Sequence, residues 1–111
     1  MVLTLREQHC QPCAGGTPPL DAARTRALQA QLDGRWRVES GKALRAEFEF
    51  RNYWETTAFV NAVAWIAHRE DHHPDICFGY KTCAITYSTH SVGGLSENDF
   101  ICAAKVDALL K

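Results

Sequence analysis

The chain has 111 residues, of which 46% are hydrophobic and 23% charged, with twelve Lys and Arg against thirteen Asp and Glu for a formal net charge of −1. That length leaves too little material for a second core, the apolar share excludes a disordered segment, and a balanced charge with no basic run excludes the electrostatic footprint of a direct nucleic-acid binder. Met1-Val2-Leu3-Thr4-Leu5-Arg6-Glu7 lacks the basic and apolar regions of an export signal, and no apolar run reaches membrane-spanning length. A cytoplasmic protein with no membrane partner is therefore expected. Its five Cys are read as reduced thiols.

Residues 1–19 read as a flexible leader ending in Gly15-Gly16-Thr17-Pro18-Pro19, and residues 20–111 as the folded domain. A first helix is expected from Asp21 to Asp33, with Leu28 and Leu32 on its apolar side and Gly34 as its stop. From Trp36 the period changes to two. Trp36 and Val38 alternate, Ser40-Gly41-Lys42 makes a turn, and Leu44, Ala46, Phe48 and Phe50 share one face opposite Arg45, Glu47, Glu49 and Arg51.

Asn52 followed by Glu55 has capping-box spacing, and Phe59, Ala62, Val63 and Ile66 repeat at i, i+3, i+4, i+7, which predicts a helix from Tyr53 to His68 or just beyond. Pro74 disfavours helical geometry at the preceding residue, so this helix must end by His73. Ile76, Phe78 and Tyr80, then Cys83, Ile85 and Tyr87, predict a second pair of strands, with His90 at the end of the last one. Ser96 and Asp99 repeat the capping spacing before a stripe of Cys102, Ala103, Val106, Leu109 and Leu110. Cys77, Cys83 and Cys102 fall on apolar patterns and read as small buried hydrophobes. The predicted fold is α+β, two-layered, a four-stranded antiparallel sheet with three helices on one face in the order α-β-β-α-β-β-α.

Histidine moves protons near neutral pH. His72 and His73 adjoin at a helix-to-strand junction, and a short antiparallel sheet could bring His90 close to them. Three imidazoles around one cleft would suit a dehydration, in which a leaving hydroxyl gains a proton and a nearby N–H loses one. Any one of these histidines alone is more often structural or solvated.

The run Glu70-Asp71-His72-His73-Pro74, then Tyr80, Ser88-Thr89-His90 and Gly94-Leu95-Ser96-Glu97-Asn98-Asp99, resembles the signature of the pterin-4a-carbinolamine dehydratase family. The resemblance runs from Trp36 to Leu110 and takes in Phe48, Phe50, Phe59, Val63 and Ala64, while His9-Cys10-x-x-Cys13 resembles the N-terminus of bacterial members. It implies an enzyme, a 4a-hydroxytetrahydrobiopterin dehydratase, which removes water from the 4a-hydroxytetrahydropterin to give quinonoid dihydropterin. The product would return to the cofactor cycle of the aromatic amino-acid hydroxylases, phenylalanine hydroxylation included. It implies no cofactor, the pterin being the substrate, and a homodimer or homotetramer.

On this resemblance His72 and His90 are the acid/base pair and His73 orients the carbinolamine, with Asp71, Pro74, Ser88, Thr89 and Ser91 around the pterin ring and Trp36 as a candidate pocket wall. Pattern alone places Trp36 in the core. His68 stands where many members carry an acidic residue four positions before the first histidine, and it is kept as a candidate binding residue. Asp99 belongs to the signature, yet its spacing from Ser96 fits helix capping. The alternative to catalysis is a binding or assembly module on the same fold, of the transcription-cofactor or Rubisco-assembly kind. No metal is expected: Cys10-x-x-Cys13 is half of a zinc spacing without a second half, and His68 and His72 lack a clear carboxylate partner.

Overall fold

The computed structural model describes residues 3–111. Met1 and Val2, the first residues of the expected leader, lie outside the described residues. The elements are α1 (Ala22–Gln29), β1 (Arg37–Glu39), β2 (Ala43–Glu49), α2 (Tyr53–Glu70), β3 (Asp75–Phe78), β4 (Thr82–Tyr87) and α3 (Glu97–Ala108), with single 3-10 turns at Leu5–Glu7 and His90–Val92. All strand pairs are antiparallel in the order β1-β2-β4-β3. Each predicted hairpin forms, and the two are joined where β2 runs against β4, from Leu44 opposite Tyr87 to Glu49 opposite Thr82.

The period-two pattern explains the layers. Leu44, Ala46 and Phe48 of β2 and Cys83, Ile85 and Tyr87 of β4 are buried in one core with Phe59 and Val63 of α2 and Phe100, Cys102, Ala103 and Val106 of α3. Arg45 and Glu47 alternate onto the other face, paired at 2.6 Å. Cys77 also takes that face and is exposed, which corrects its reading as a buried hydrophobe. On edge strand β3 the apolar alternation leads outward at its end, where Phe78 and Tyr80 gather with Tyr53 on the surface.

Local signals set the boundaries. The turn between β1 and β2 places Ser40 and Gly41 at positive φ, 53° and 67°, the handedness that suits a hairpin. Helix α1 starts where the Asp21 carboxylate accepts from the Arg24 N–H, and stops at Gln29, four residues short of the expected Asp33. The chain from Ala30 to Leu32 tightens into turn bonds instead. Helix α2 starts on the Asn52 side chain and ends on Asp71, which adopts the left-handed conformation, φ 51°, with its N–H on the Ala67 carbonyl. Pro74 then holds the chain extended into β3.

The leader differs most from expectation. Its Leu5 is 5% exposed and joins the core, Lys105 donates to the Arg6 carbonyl at 2.7 Å, and the Cys10 thiol lies 3.5 Å from that of Cys102. Residues 5–13 are therefore a docked arm, and the flexible-leader expectation is corrected for them. Polar contacts to residues 60 and more positions away hold the arm, and such contacts leave no local periodicity to read.

Candidate active site

The arm, the end of α2, the segment after β4 and the start of α3 meet around a cleft of about 300 Å³. His72 faces it from the α2–β3 junction, with its ring stacked parallel to Tyr87 at 5.9 Å. The imidazole Nε2 sits 2.6 Å from Oδ1 of Asp99, whose side chain is fully buried. The other oxygen, Oδ2, accepts from the Thr89 hydroxyl at 2.8 Å and from the Ser96 N–H at 2.9 Å. Since Thr89 donates there, the Ser96 hydroxyl is the donor in its 2.8 Å contact with Thr89.

This network fixes a tautomer. An ionised carboxylate only accepts, so His72 Nε2 carries the proton in that bond, and whenever the ring is neutral Nδ1 is the nitrogen left as an acceptor. Among the described residues Nδ1 has no hydrogen-bond partner. The arrangement is that of an aspartate orienting a histidine ring. Asp99 thereby does two jobs: its contact with the Ser96 N–H is the reciprocal half of a capping box, and the same carboxylate orients His72. The capping reading was half of the answer.

Behind His72, the Tyr87 hydroxyl is buried with no hydrogen-bond partner among the described residues. Burial first, with the neighbouring thiols and Asp99 adding to it, pushes that phenol far above its ordinary range. It stays neutral, and the ring is a flat apolar backing for the imidazole.

Of the residues singled out from the sequence, Asp71, His72, Thr89 and Ser91 line the cleft. His73 is exposed beside them. His90 does not end β4, which stops at Tyr87; it opens the 3-10 turn His90–Val92 and is exposed between the cleft residues Thr89 and Ser91. Pro74 and Ser88 are half-buried outside the cleft walls. His68 is exposed against the Trp65 ring, 5.4 Å between centroids, and is not part of the walls.

Trp36 is no pocket wall. It is 2% exposed in the core between Phe48 and Tyr87, and its indole N–H donates to Asp107 at 2.9 Å. Its link to the site is indirect, through Tyr87.

Glu70 and Asn98, neither of them named as a site residue from the sequence, also line the cleft together with the arm residues they hold. Their place in the signature, next to Asp71-His72 and to Asp99, was the available signal. Among the described residues, no group of three or more His, Cys, Asp or Glu side chains is arranged to hold a metal ion. Among the described residues, no helix is long and apolar enough to cross a membrane.

Comparison with known proteins gives a consistent answer. The family model described as pterin 4 alpha carbinolamine dehydratase matches residues 18–109. A Nitrosospira multiformis protein, provisionally assigned by its name as a pterin-4-alpha-carbinolamine dehydratase, is 58% identical over 96% of this chain and 93% of its own. A Nitrosomonas europaea protein of the same name is 54% identical over 99% of this chain and 96% of its own. Among solved structures, a transcriptional coactivator/pterin dehydratase from Brucella melitensis superposes with a TM-score of 0.78 at 29% identity, covering 84% of this chain and 99% of that one. A pterin dehydratase-like protein described as a RuBisCO assembly factor in the alpha-carboxysome superposes with a TM-score of 0.59 at 33% identity, over 67% of this chain and 87% of its own.

Proposed function

The chain belongs to the pterin 4 alpha carbinolamine dehydratase family, and on that premise we propose that it dehydrates 4a-hydroxytetrahydropterin to quinonoid dihydropterin and water. The single observation that carries the reading is the 2.6 Å contact between His72 Nε2 and the buried Asp99. On this reading the other ring nitrogen serves as the base.

In the proposed step the C4a–O bond breaks and the hydroxyl leaves as water after gaining a proton. The N5–H bond gives its electron pair to a new C4a=N5 double bond and its proton to a base. His72 Nδ1 is that base, and His90, placed between two cleft residues, protonates the leaving hydroxyl. The neutral ring His72 offers is the form that can accept a proton. His73 orients the pterin from the rim, with Asp71, Thr89 and Ser91 as polar contacts to the ring. The residues suffice for acid and base work alone, so the proposed reaction needs no cofactor.

A second reading, an assembly or binding module, draws on the likeness to the RuBisCO assembly factor. The His72–Asp99 pair favours chemistry, because a surface selected for binding alone has no use for a buried carboxylate that fixes a histidine tautomer. The test is the decay of freshly generated 4a-carbinolamine with and without protein, after subtracting the uncatalysed rate. Wild type should accelerate it, and His72→Ala or His90→Ala should each lower kcat by about 10²- to 10⁴-fold, the usual worth of a positioned acid or base. Near-normal turnover by both variants, properly folded, would move the balance to the assembly reading.

A further inference from the structure

The N-terminal arm lies outside the family match, which begins at residue 18. Yet Cys10, Gln11, Pro12 and Cys13 make up four of the ten residues that line the cleft. Two buried polar side chains hold them there. Glu70, its side chain 5% exposed, accepts from the Cys10 N–H at 2.7 Å. Asn98, 8% exposed, accepts from the Gln11 N–H at 3.0 Å and donates to the Gln11 carbonyl at 2.7 Å.

Glu70 precedes His72 by two positions, and Asn98 immediately precedes Asp99. The latches therefore flank the two halves of the His72–Asp99 pair. A buried amide or carboxylate is costly unless its hydrogen bonds are made, and among the described residues every hydrogen bond of the Asn98 side chain goes to the arm. Those latches use only the backbone of Gln11. The Gln11 side chain is exposed at the cleft with no hydrogen-bond partner among the described residues, and Pro12 presents an apolar ring beside it.

We infer that the arm is a specificity-determining wall of the substrate site, in which the Gln11 amide reads the hydrogen-bonding edge of a planar aminopyrimidinone-type ring and Pro12 packs against its face. An amide offers donor and acceptor side by side, the complement of an edge that alternates the two. This inference rests on the pterin reading above and adds to it where the ring is gripped. The arm moves no proton, so its loss acts on binding.

The experiment compares full-length wild type with Gln11→Ala, Pro12→Ala and Asn98→Ala, using carbinolamine turnover together with fluorescence titration of 7,8-dihydropterin. Gln11→Ala should raise KM and the dihydropterin Kd by about five- to twentyfold, the scale of one or two lost hydrogen bonds, with kcat changed little. Asn98→Ala should do the same and also expose the bond after Arg6 to trypsin. Asn98→Asp, which keeps the acceptor for the Gln11 N–H, should recover part of the affinity. If Asn98→Ala fails to fold, Gln11→Ala and Pro12→Ala still decide, because neither removes a latch. Unchanged KM and Kd in both, or a defect confined to kcat, would overturn the inference while wild-type turnover leaves the dehydratase reading standing. Wild type that neither turns over carbinolamine nor binds dihydropterin would remove both.

Discussion

Helix α3 has a buried aspartate at each end, and the two have different surroundings. Asp99, in the first turn, meets the Thr89 hydroxyl, the Ser96 N–H and the His72 ring. Asp107, in the last turn, meets the Trp36 indole N–H at 2.9 Å and the Asp33 backbone N–H at 3.0 Å. The helix field favours a negative charge at the first position and opposes it at the second, so Asp107 leans harder on its two donors. The functional difference lies in the donors themselves. Indole and peptide N–H groups belong to units that accept no proton in the working pH range, whereas the imidazole that donates to Asp99 carries a second ring nitrogen able to accept one. A buried carboxylate is therefore no mark of catalysis by itself.

The largest expected effect breaks the Asp99 side of this comparison. In Asp99→Asn the oxygen can still accept from the Ser96 N–H, while the amide nitrogen turns a donor toward His72 and so favours the opposite tautomer. The base is then masked with little change in shape. Turnover should fall by about 10²- to 10⁴-fold, with melting temperature moved far less and the pH profile altered. Turnover within tenfold of wild type in a folded variant would remove the pair from the centre of the chemistry.

Substitution at the other end should show the reverse. Asp107→Asn and Trp36→Phe each disturb the buried contact between α3 and the segment before β1, and each should cost about 1–3 kcal/mol of stability, the usual penalty for an unsatisfied buried group. Urea midpoints measure this, and turnover at 25 °C should stay close to wild type. A collapse of kcat without loss of stability would mean that Trp36 acts on His72 through Tyr87, which touches both rings.

These two ends also show what a sequence can disclose. Alternation in Leu44–Phe48 and Cys83–Tyr87, and the caps at Asn52 and Ser96, are local signals, and the sheet and helices followed from them. Asp71, His72 and Thr89 were legible because the family signature carries them together, and Ser91 because it follows that signature's Ser88-Thr89-His90. The partner of Trp36 was not, since nothing local links residue 36 to an aspartate 71 positions later. Cys77 was misplaced for a different reason. It occupies the odd register of β3 between Ile76 and Phe78, and an apolar residue in an edge strand reads as core until its register is known. The docked arm was hidden because its anchors are single polar groups without periodicity.

Glu70 is a third nearly buried carboxylate, and it tests whether the distinction drawn on α3 extends to an intermediate case. Its partners are mixed: the Cys10 N–H donates at 2.7 Å, the His9 ring lies at 2.9 Å, and the Lys105 ammonium forms a longer ion pair at 3.7 Å. Burial works to raise its carboxyl, but the Cys10 N–H, then His9 and Lys105, outweigh that and hold it below its ordinary value of 4.5. A carboxyl depressed in the folded state binds its proton more readily when unfolded, so stability rises with pH between the two values. The contribution is complete above about pH 4.5 and fades as pH falls through the lower folded value. Wild type should therefore be more stable than Glu70→Gln near neutrality, and the gap should close on acidification below pH 4.5. The effect should be the smallest of the three, because only the arm depends on it. Denaturant unfolding of both proteins across that range measures the gap. A gap that stays constant with pH would mean that the Glu70 side chain holds the arm by shape and neutral hydrogen bonds, as Asn98 does, and that its charge contributes nothing.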